Sequence, residues 1–430
     1  MSSPAARGIH VFVGTRHGLR RKPHFDVTYR CEIRLANPDV YARICGCCLE
    51  VGCPMSKSRA ELVRLLSPYA QSSTPIGLGL LAFDILQYAA AIAGVLCLSP
   101  ILAKLACGIY AGVRLGSLLI LAHDAAHQCL VRGRRRNKLL AVIAFVMCLH
   151  NYRLWIIDHH GFHHPNTNGG HKGTYTPFSL ETFQSLPSWR RLLERFYRSG
   201  NPLGMAVHYF KERWLHALFL PKDRICPEKA DEVSAWRHAA VVIGYLAAWL
   251  LAMLLAPQYS EASASAAVGF GFVVPLVVFH VLVGFVEFAQ HTHPSVGWFR
   301  RMKDKPRFAK SELVSVHLKT SSILGVLMHH VLDHPVHHVH ARVPCYRLRR
   351  AQQHLNELLG ARAVVDNLSL AWYIRTIRTC KLFDFAHQRW LDFDGTPTQV
   401  VASRRRVERE SLPVAECGAP CPFEDRRLSR

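Results

Sequence analysis

Residues 101–127 read ILAKLACGIYAGVRLGSLLILAHDAAH. The run Ile101 to Leu121 is apolar and, at about 20 residues, long enough to cross a bilayer core as a helix. His123 and His127 follow where that helix leaves the membrane. A spacing of four places both imidazoles on one helix face, where two side chains can meet one metal ion. The zinc-protease signature on a helix needs Glu after the first His. Asp124 stands there instead, shorter and differently placed, and that chemistry is set aside.

Working outward, three more runs have spanning length: Ile76 to Leu98, Trp236 to Ala256, and Ala264 to Phe288. The four pair into two hairpins. The connections Ser99-Pro100 and Pro257 to Ser263 carry no Lys or Arg, whereas the amino terminus, the middle segment and the carboxy-terminal third are basic. The positive-inside rule therefore predicts that all three basic regions, and both termini, face the cytoplasm. A fifth run, Leu139 to Ile157, contains His150, Asn151 and Arg153. A crossing there is costly and would separate the histidines on either side, so the segment is expected to lie in the interface or dip in without crossing. The stretch Ile323 to Leu332 is too short to span, and His280, deep in the fourth run, is expected to hydrogen-bond to a neighbouring helix.

The whole composition agrees with a membrane reading. Half of the 430 residues are hydrophobic, and the formal charge of +23 comes in blocks alternating with apolar runs. That pattern fits a membrane surface and speaks against a nucleic-acid partner. Cys97, Cys107 and Cys148 lie in apolar segments, and only Cys31, Cys45, Cys47, Cys48 and Cys53 are dense. The stretch CGCCLEVGC, with the last four of these, is able to bind zinc through thiolates. No charged-then-apolar leader is read at the start, so the thiols are expected to be reduced. An alternative start at Met55 would open on the amphipathic MSKSRAELVRLL. Residues 1–75 are expected to be a polar, basic, partly disordered extension, 76–397 one domain, and 398–430 a basic disordered tail.

Histidine is the anomaly: 26 residues, roughly twice ordinary usage. A second box, HGFHH, offers His160, His163 and His164, with His159 as a spare. A third, HPVHH, offers His334, His337 and His338. At the end of the fourth run QHTHP offers His291, one turn beyond Glu287, with His293 as the alternative. His150 and His340 are read as spares. Neutral imidazole suits iron as well as zinc, copper and nickel. Eight or nine such ligands are too many for one metal and sensible for two. No Glu-x-x-His pair of the carboxylate-rich di-iron bundles occurs. Asp124, Asp158 and Asp333, each next to a box, are candidates to orient the rings.

With these spacings and flanks, residues 76 to 397 resemble the membrane fatty acid desaturases, most closely the Δ12 acyl-lipid desaturases of cyanobacteria and plants. The elements that carry the likeness are HDAAH, DHHGFHHPNTN after Trp155, QHTHP, HPVHHVHARVPCY and DFDGTP at Asp392 to Pro397. The resemblance implies an all-α integral membrane protein, four transmembrane helices in two hairpins under a cytosolic helical cap. Two iron ions would be held by His123, His127, His160, His163, His164, His334, His337 and His338, with His291 as auxiliary ligand. It implies an acyl tunnel, O2 as co-substrate, and electrons from a separate ferredoxin or cytochrome b5, since the haem signature HPGG is absent. The product would be a cis double bond, whether the acyl group rides on a glycerolipid, coenzyme A or a carrier protein. Plant members typically have Cys-Gly-His within the first box, where this chain has Ala125, Ala126 and His127, which opens the question of regiochemistry. Competing expectations are an acyl hydroxylase, an acetylenase or a carotenoid oxygenase, which share the ligands. A membrane metal or haem transporter would instead place His within or on both sides of the membrane.

Overall fold

The computed structural model describes residues 57–169, 175–221, 226–301 and 314–398. The CGCCLEVGC stretch, Met55 and the tail beyond residue 398 lie outside them. Among the described residues, four helices are long and apolar enough to cross a membrane: Thr74–Cys97, Ile101–Ala126, Lys229–Gln258 and Ala264–His291. They coincide with the four runs, but the second and fourth continue past Leu121 and Phe288. At 1.5 Å per residue the second runs about 39 Å against a hydrocarbon core of about 30 Å, so its last turns stand clear of lipid. His123 and His291 thus sit on helix rather than on loop. Large apolar side chains such as Phe83, Leu86, Leu102 and Leu251 are exposed along these helices, and lipid is the solvent that makes that exposure inexpensive.

The second and fourth spans approach closely through glycine. A Cβ on Gly108 would lie 2.4 Å from the Phe270 carbonyl oxygen, and one on Gly112 would lie 2.7 Å from that of Pro275. Small residues at such crossings let the two backbones pack without side chains between them. Both spans run in the same direction, so their carboxy-terminal ends emerge together.

The fifth run forms two helices, Arg134–Met147 and Tyr152–His163, bent by 111° at a short break. Its polar residues find partners within the protein. His150 Nδ1 donates to the Cys148 carbonyl and Nε2 meets the Tyr209 hydroxyl, each at 2.6 Å. Asn151 accepts the Arg153 and Leu154 amides and donates to the Ala235 carbonyl, while Arg153 pairs with Asp231. His280 departs from expectation. Its Nδ1 donates at 2.7 Å to the Leu276 carbonyl of its own helix, the nearest acceptor one turn back, and not to a neighbouring helix.

The cap is helical, with two minimal strand pairs added to the expected all-α design. His317–Lys319 pairs in parallel with Val365–Asn367, and Leu382–Asp384 pairs antiparallel with Arg389–Leu391. Tyr175, Met205, Phe288, Val316, Leu332 and Trp372 form one buried cap core. Within residues 57–75, Ser58 caps a helix, Arg59–Leu66, whose Leu62 and Leu66 are fully buried and whose Arg59 reaches the His338 carbonyl.

Candidate metal centre

Imidazoles from four segments converge at the end of the bundle where the second and fourth spans emerge. His123, His127, His159 and His337 each place a ring nitrogen within 4.8 Å of the others, and His163, His291, His334 and His338 form a second such group. His164 joins the first. Its Nε2 lies 3.3, 3.0 and 3.1 Å from the Nε2 atoms of His127, His159 and His337. The His160 ring lies 4.3 Å from that of His127, and its buried Nε2 has no hydrogen-bond partner. All nine histidines singled out from the sequence therefore meet in one place.

His159, read as a spare, belongs to the first group. The reason is local backbone: residues Ile157–His163 form a π-helical stretch in which the His164 amide donates to the His159 carbonyl, five residues back. The wider turn brings His159 and His164 onto one face, which an α-helical reading of HGFHH does not do. The other spares stay out: His150 is spent on Cys148 and Tyr209, and His340 belongs to neither group. His293 turns away to Asp366, which leaves the position at the end of the fourth span to His291.

The donor set fits metal ions better than mutual hydrogen bonding. A neutral imidazole has one N–H and one lone pair. Several outer nitrogens are already committed: His123 Nδ1 lies 3.1 Å from Asp124, and His291 Nδ1 donates to the Val314 carbonyl at 3.3 Å. The Nε2 atoms then face one another, at 3.1 Å between His334 and His291 and 2.7 Å between His338 and His334. Shared cations resolve that crowding of lone pairs. Protonation does not: burial, then repulsion from neighbouring imidazoles, holds His127, His159, His163, His334, His337 and His338 well below the ordinary range. The same causes lower His160 to about 4 and His164 to about 3. At neutral pH these eight imidazoles are free bases.

Of the three adjacent carboxylates, only Asp124 takes the expected ring-orienting place. Asp158 receives a two-point contact from Arg213, at 2.6 and 3.2 Å, and the same guanidinium reaches Glu287 at 3.3 Å. Asp333 pairs with His317 at 2.8 Å and His330 at 3.4 Å. A buried chain then braces the third box: Asn356 bridges His317 and Gln352, and Gln352 accepts the Val336 amide. Arg213 had no sequence signal, since it lies more than 40 residues from the nearest box.

A cavity of about 320 Å³ opens beside the imidazoles. At one end it is lined by His123, His159, His163 and His337; at the other by aliphatic residues of the second and fourth spans and of the stretch around Leu327. Charged Arg213, Asp158 and Glu287 border only the histidine end.

Fold and site together define a four-span membrane protein with an imidazole-lined centre and an apolar cavity under a helical cap. A sequence model of the family described as fatty acid desaturase matches residues 99–368, and the chain belongs to that family. Among its relatives is the sn-1 acyl-lipid omega-3 desaturase (ferredoxin) of Synechocystis sp., 25% identical over 256 residues, covering 58% of this chain and 66% of the relative. The chloroplastic omega-6 fatty acid desaturase of Brassica napus is 25% identical over 301 residues, 66% of this chain and 61% of the relative. The sn-1 oleoyl-lipid 12-desaturase of Synechocystis sp. is 25% identical over 289 residues, 65% of this chain and 76% of the relative. The chain thus spans somewhat under two thirds of the first two relatives.

Proposed function

We propose that this chain is an acyl-lipid desaturase of Δ12 or ω-3 type, which uses O2 and an external one-electron carrier of the ferredoxin or cytochrome b5 kind. The observation that carries the reading is a pair of imidazole groups opening directly onto an apolar cavity. In this reading His123, His127, His160, His163, His164, His291, His334, His337 and His338, with His159, hold two iron ions. The histidine face and both termini lie on the cytoplasmic side. Bound iron would supply activation of O2 and removal of hydrogen from an unactivated CH2. The chain's own residues do the rest. Aliphatic walls exclude water and hold the acyl chain extended, and His123, His159, His163 and His337 line it at the reacting level. Arg213 fixes Asp158 beside the second box and Glu287 one turn before His291. The stoichiometry balances when two hydrogens from adjacent carbons, two electrons, two protons and O2 leave as two waters and one double bond.

The test is expression of the full chain in a host without polyunsaturated lipids, with metal analysis of the purified protein. Dienoic acyl chains and about two non-haem irons per chain, the number the two imidazole groups imply, are the expected result. Hydroxylated, acetylenic or carotenoid products without new double bonds would replace the reading by one of the sister chemistries, and haem absorption would point to transport.

A further inference from the structure

Two oxidisable side chains border the cavity without belonging to either imidazole group: Trp155 and Tyr209. Both are buried. The Trp155 indole lies flat on His159, ring centroids 4.2 Å apart and 18° from parallel, and meets His123 and His127 edge-on at 5.5 and 6.1 Å. Phe145 leads onward, 4.9 Å from Trp155 and 6.3 Å from His150. Electron tunnelling falls off steeply with distance, and each of these steps is a contact between neighbouring rings.

Tyr209 has a base attached. The Cys148 carbonyl can only accept, so His150 Nδ1 carries the N–H and its Nε2 lone pair takes the Tyr209 hydroxyl at 2.6 Å. Burial lowers His150 to about 3 and pushes the Tyr209 hydroxyl up, so the pair rests as phenol and free imidazole. A phenol that has lost an electron is a strong acid, and even so weak a base takes its proton. The hydrogen bond is the path for that proton, and the tyrosine ring is left neutral. Among the described residues no other tyrosine hydroxyl is bonded to an imidazole.

The chemistry gives such a pair something to do. Four electrons turn O2 into two waters, two from the carrier and two with the hydrogens of the acyl chain. With the cavity empty, the last two are missing. Water exclusion protects a site from side reactions only while the substrate is in place. Without it, the groups nearest to the oxidising equivalents are the ligand imidazoles and the indole stacked on one of them.

Resting on the desaturase reading, we propose that Trp155 and Tyr209 supply the two missing electrons when no acyl chain is bound, and so keep the imidazole centre from being oxidised. Each gives one electron. The Tyr209 proton passes to His150 Nε2, leaving a neutral tyrosyl radical, and Trp155 is left as a radical cation; two protons from solvent complete the waters. Two further electrons from the carrier restore both side chains, and His150 returns the proton to Tyr209. The sum is O2, four carrier electrons and four protons to two waters, with no bond in the protein broken.

The experiment mixes O2 with the iron-loaded full chain in lipid-free micelles, reduced by a stoichiometric amount of dithionite, and records electron paramagnetic resonance on the frozen sample. Expected is a radical whose spectrum narrows with ring-deuterated tyrosine and gains a nitrogen coupling with isotopically labelled histidine, the mark of Tyr209 on His150. Tyr209→Phe should lose that signal, and oxygen added to His159 and the other ligand rings, read by peptide mass spectrometry, should rise. Trp155→Phe should lower the yield of the radical, and an unchanged yield overturns the route through Trp155. A wild-type chain that forms double bonds with acyl lipid but no tyrosyl radical without it overturns the proposal and leaves the desaturase reading intact. So does a tyrosyl signal that persists in Tyr209→Phe. Neither double bond nor radical overturns both. The histidine-labelled wild-type chain decides the matter even where a variant fails to fold.

Discussion

If spans two and four meet through glycine, alanine substitutions along one helix should separate by position. A Cβ at Gly108 would lie 2.4 Å from the Phe270 carbonyl oxygen, and one at Gly112 would lie 2.6 Å from Val278 Cβ and 2.7 Å from the Pro275 oxygen. Backbone is struck in both cases, and no rotamer change relieves it. At Gly116 the nearest atom is Leu282 Cδ1 at 3.5 Å, ordinary contact, and at Gly79 on the first span nothing lies within 4 Å. Alanine gains about 0.5–1 kcal/mol over glycine in a helix interior. Overpacking costs about 1–3 kcal/mol. Gly79→Ala and Gly116→Ala should thus be neutral or stabilising by up to about 1 kcal/mol. Gly108→Ala and Gly112→Ala should be destabilising by up to about 2 kcal/mol net. Unfolding of the purified chain in mixed micelles, followed by tryptophan fluorescence, gives the order directly. Gly108→Ala as stable as Gly79→Ala would refute the close packing of the two spans.

The same series separates stability from activity, because Gly116 lines the cavity and Gly79 does not. Gly116→Ala should lower product yield in a protein at least as stable as wild type. A Gly116 variant that keeps full activity with a leucine in place would show that no substrate passes there.

Other expectations follow from the centre and its supports. His159→Ala should lower bound iron, measured by elemental analysis, as much as His160→Ala does, whereas His340→Ala should leave it unchanged. Arg213→Gln strands two part-buried carboxylates, a loss of at most about 3–5 kcal/mol in thermal unfolding; adding Glu287→Gln should recover part of it, and no recovery would show that the pair is not coupled. Acid should destabilise the iron-free chain. Imidazoles buried as free bases stabilise fully above the unfolded pKa of about 6.5, and that contribution is lost as pH falls from there toward about 4 for His160 and about 3 for His164. A melting temperature flat across that window would contradict the burial.

Much of this architecture is legible in the sequence because lipid imposes a coarse, one-dimensional requirement. Any run of about 20 apolar residues must become a backbone-satisfied helix, and histidines beside such runs are brought to the same end by the hairpins. The boxes needed only the period of the helix. His159 escaped because the π-helical turn at Ile157–His163 changes that period locally, and nothing in DHHGFHH marks the change. Arg213 and Gln352 escaped for another reason: a side chain that braces a ligand from a distant segment has no spacing relative to it.

The charges within the spans were readable in principle. Asp84 and Arg114 interrupt otherwise apolar runs, and a charge at mid-span is a functional signal by default. What the sequence does not show is the third partner. Ile323 to Leu332 reads as a run too short to cross, yet length only forbids spanning; it permits a dip whose backbone is satisfied by protein. Arg114 and Ser117 supply that satisfaction at Leu327, and His329 completes the pair with Asp84. The failed span and the misplaced charges are therefore one feature, and Leu327 within it lines the cavity.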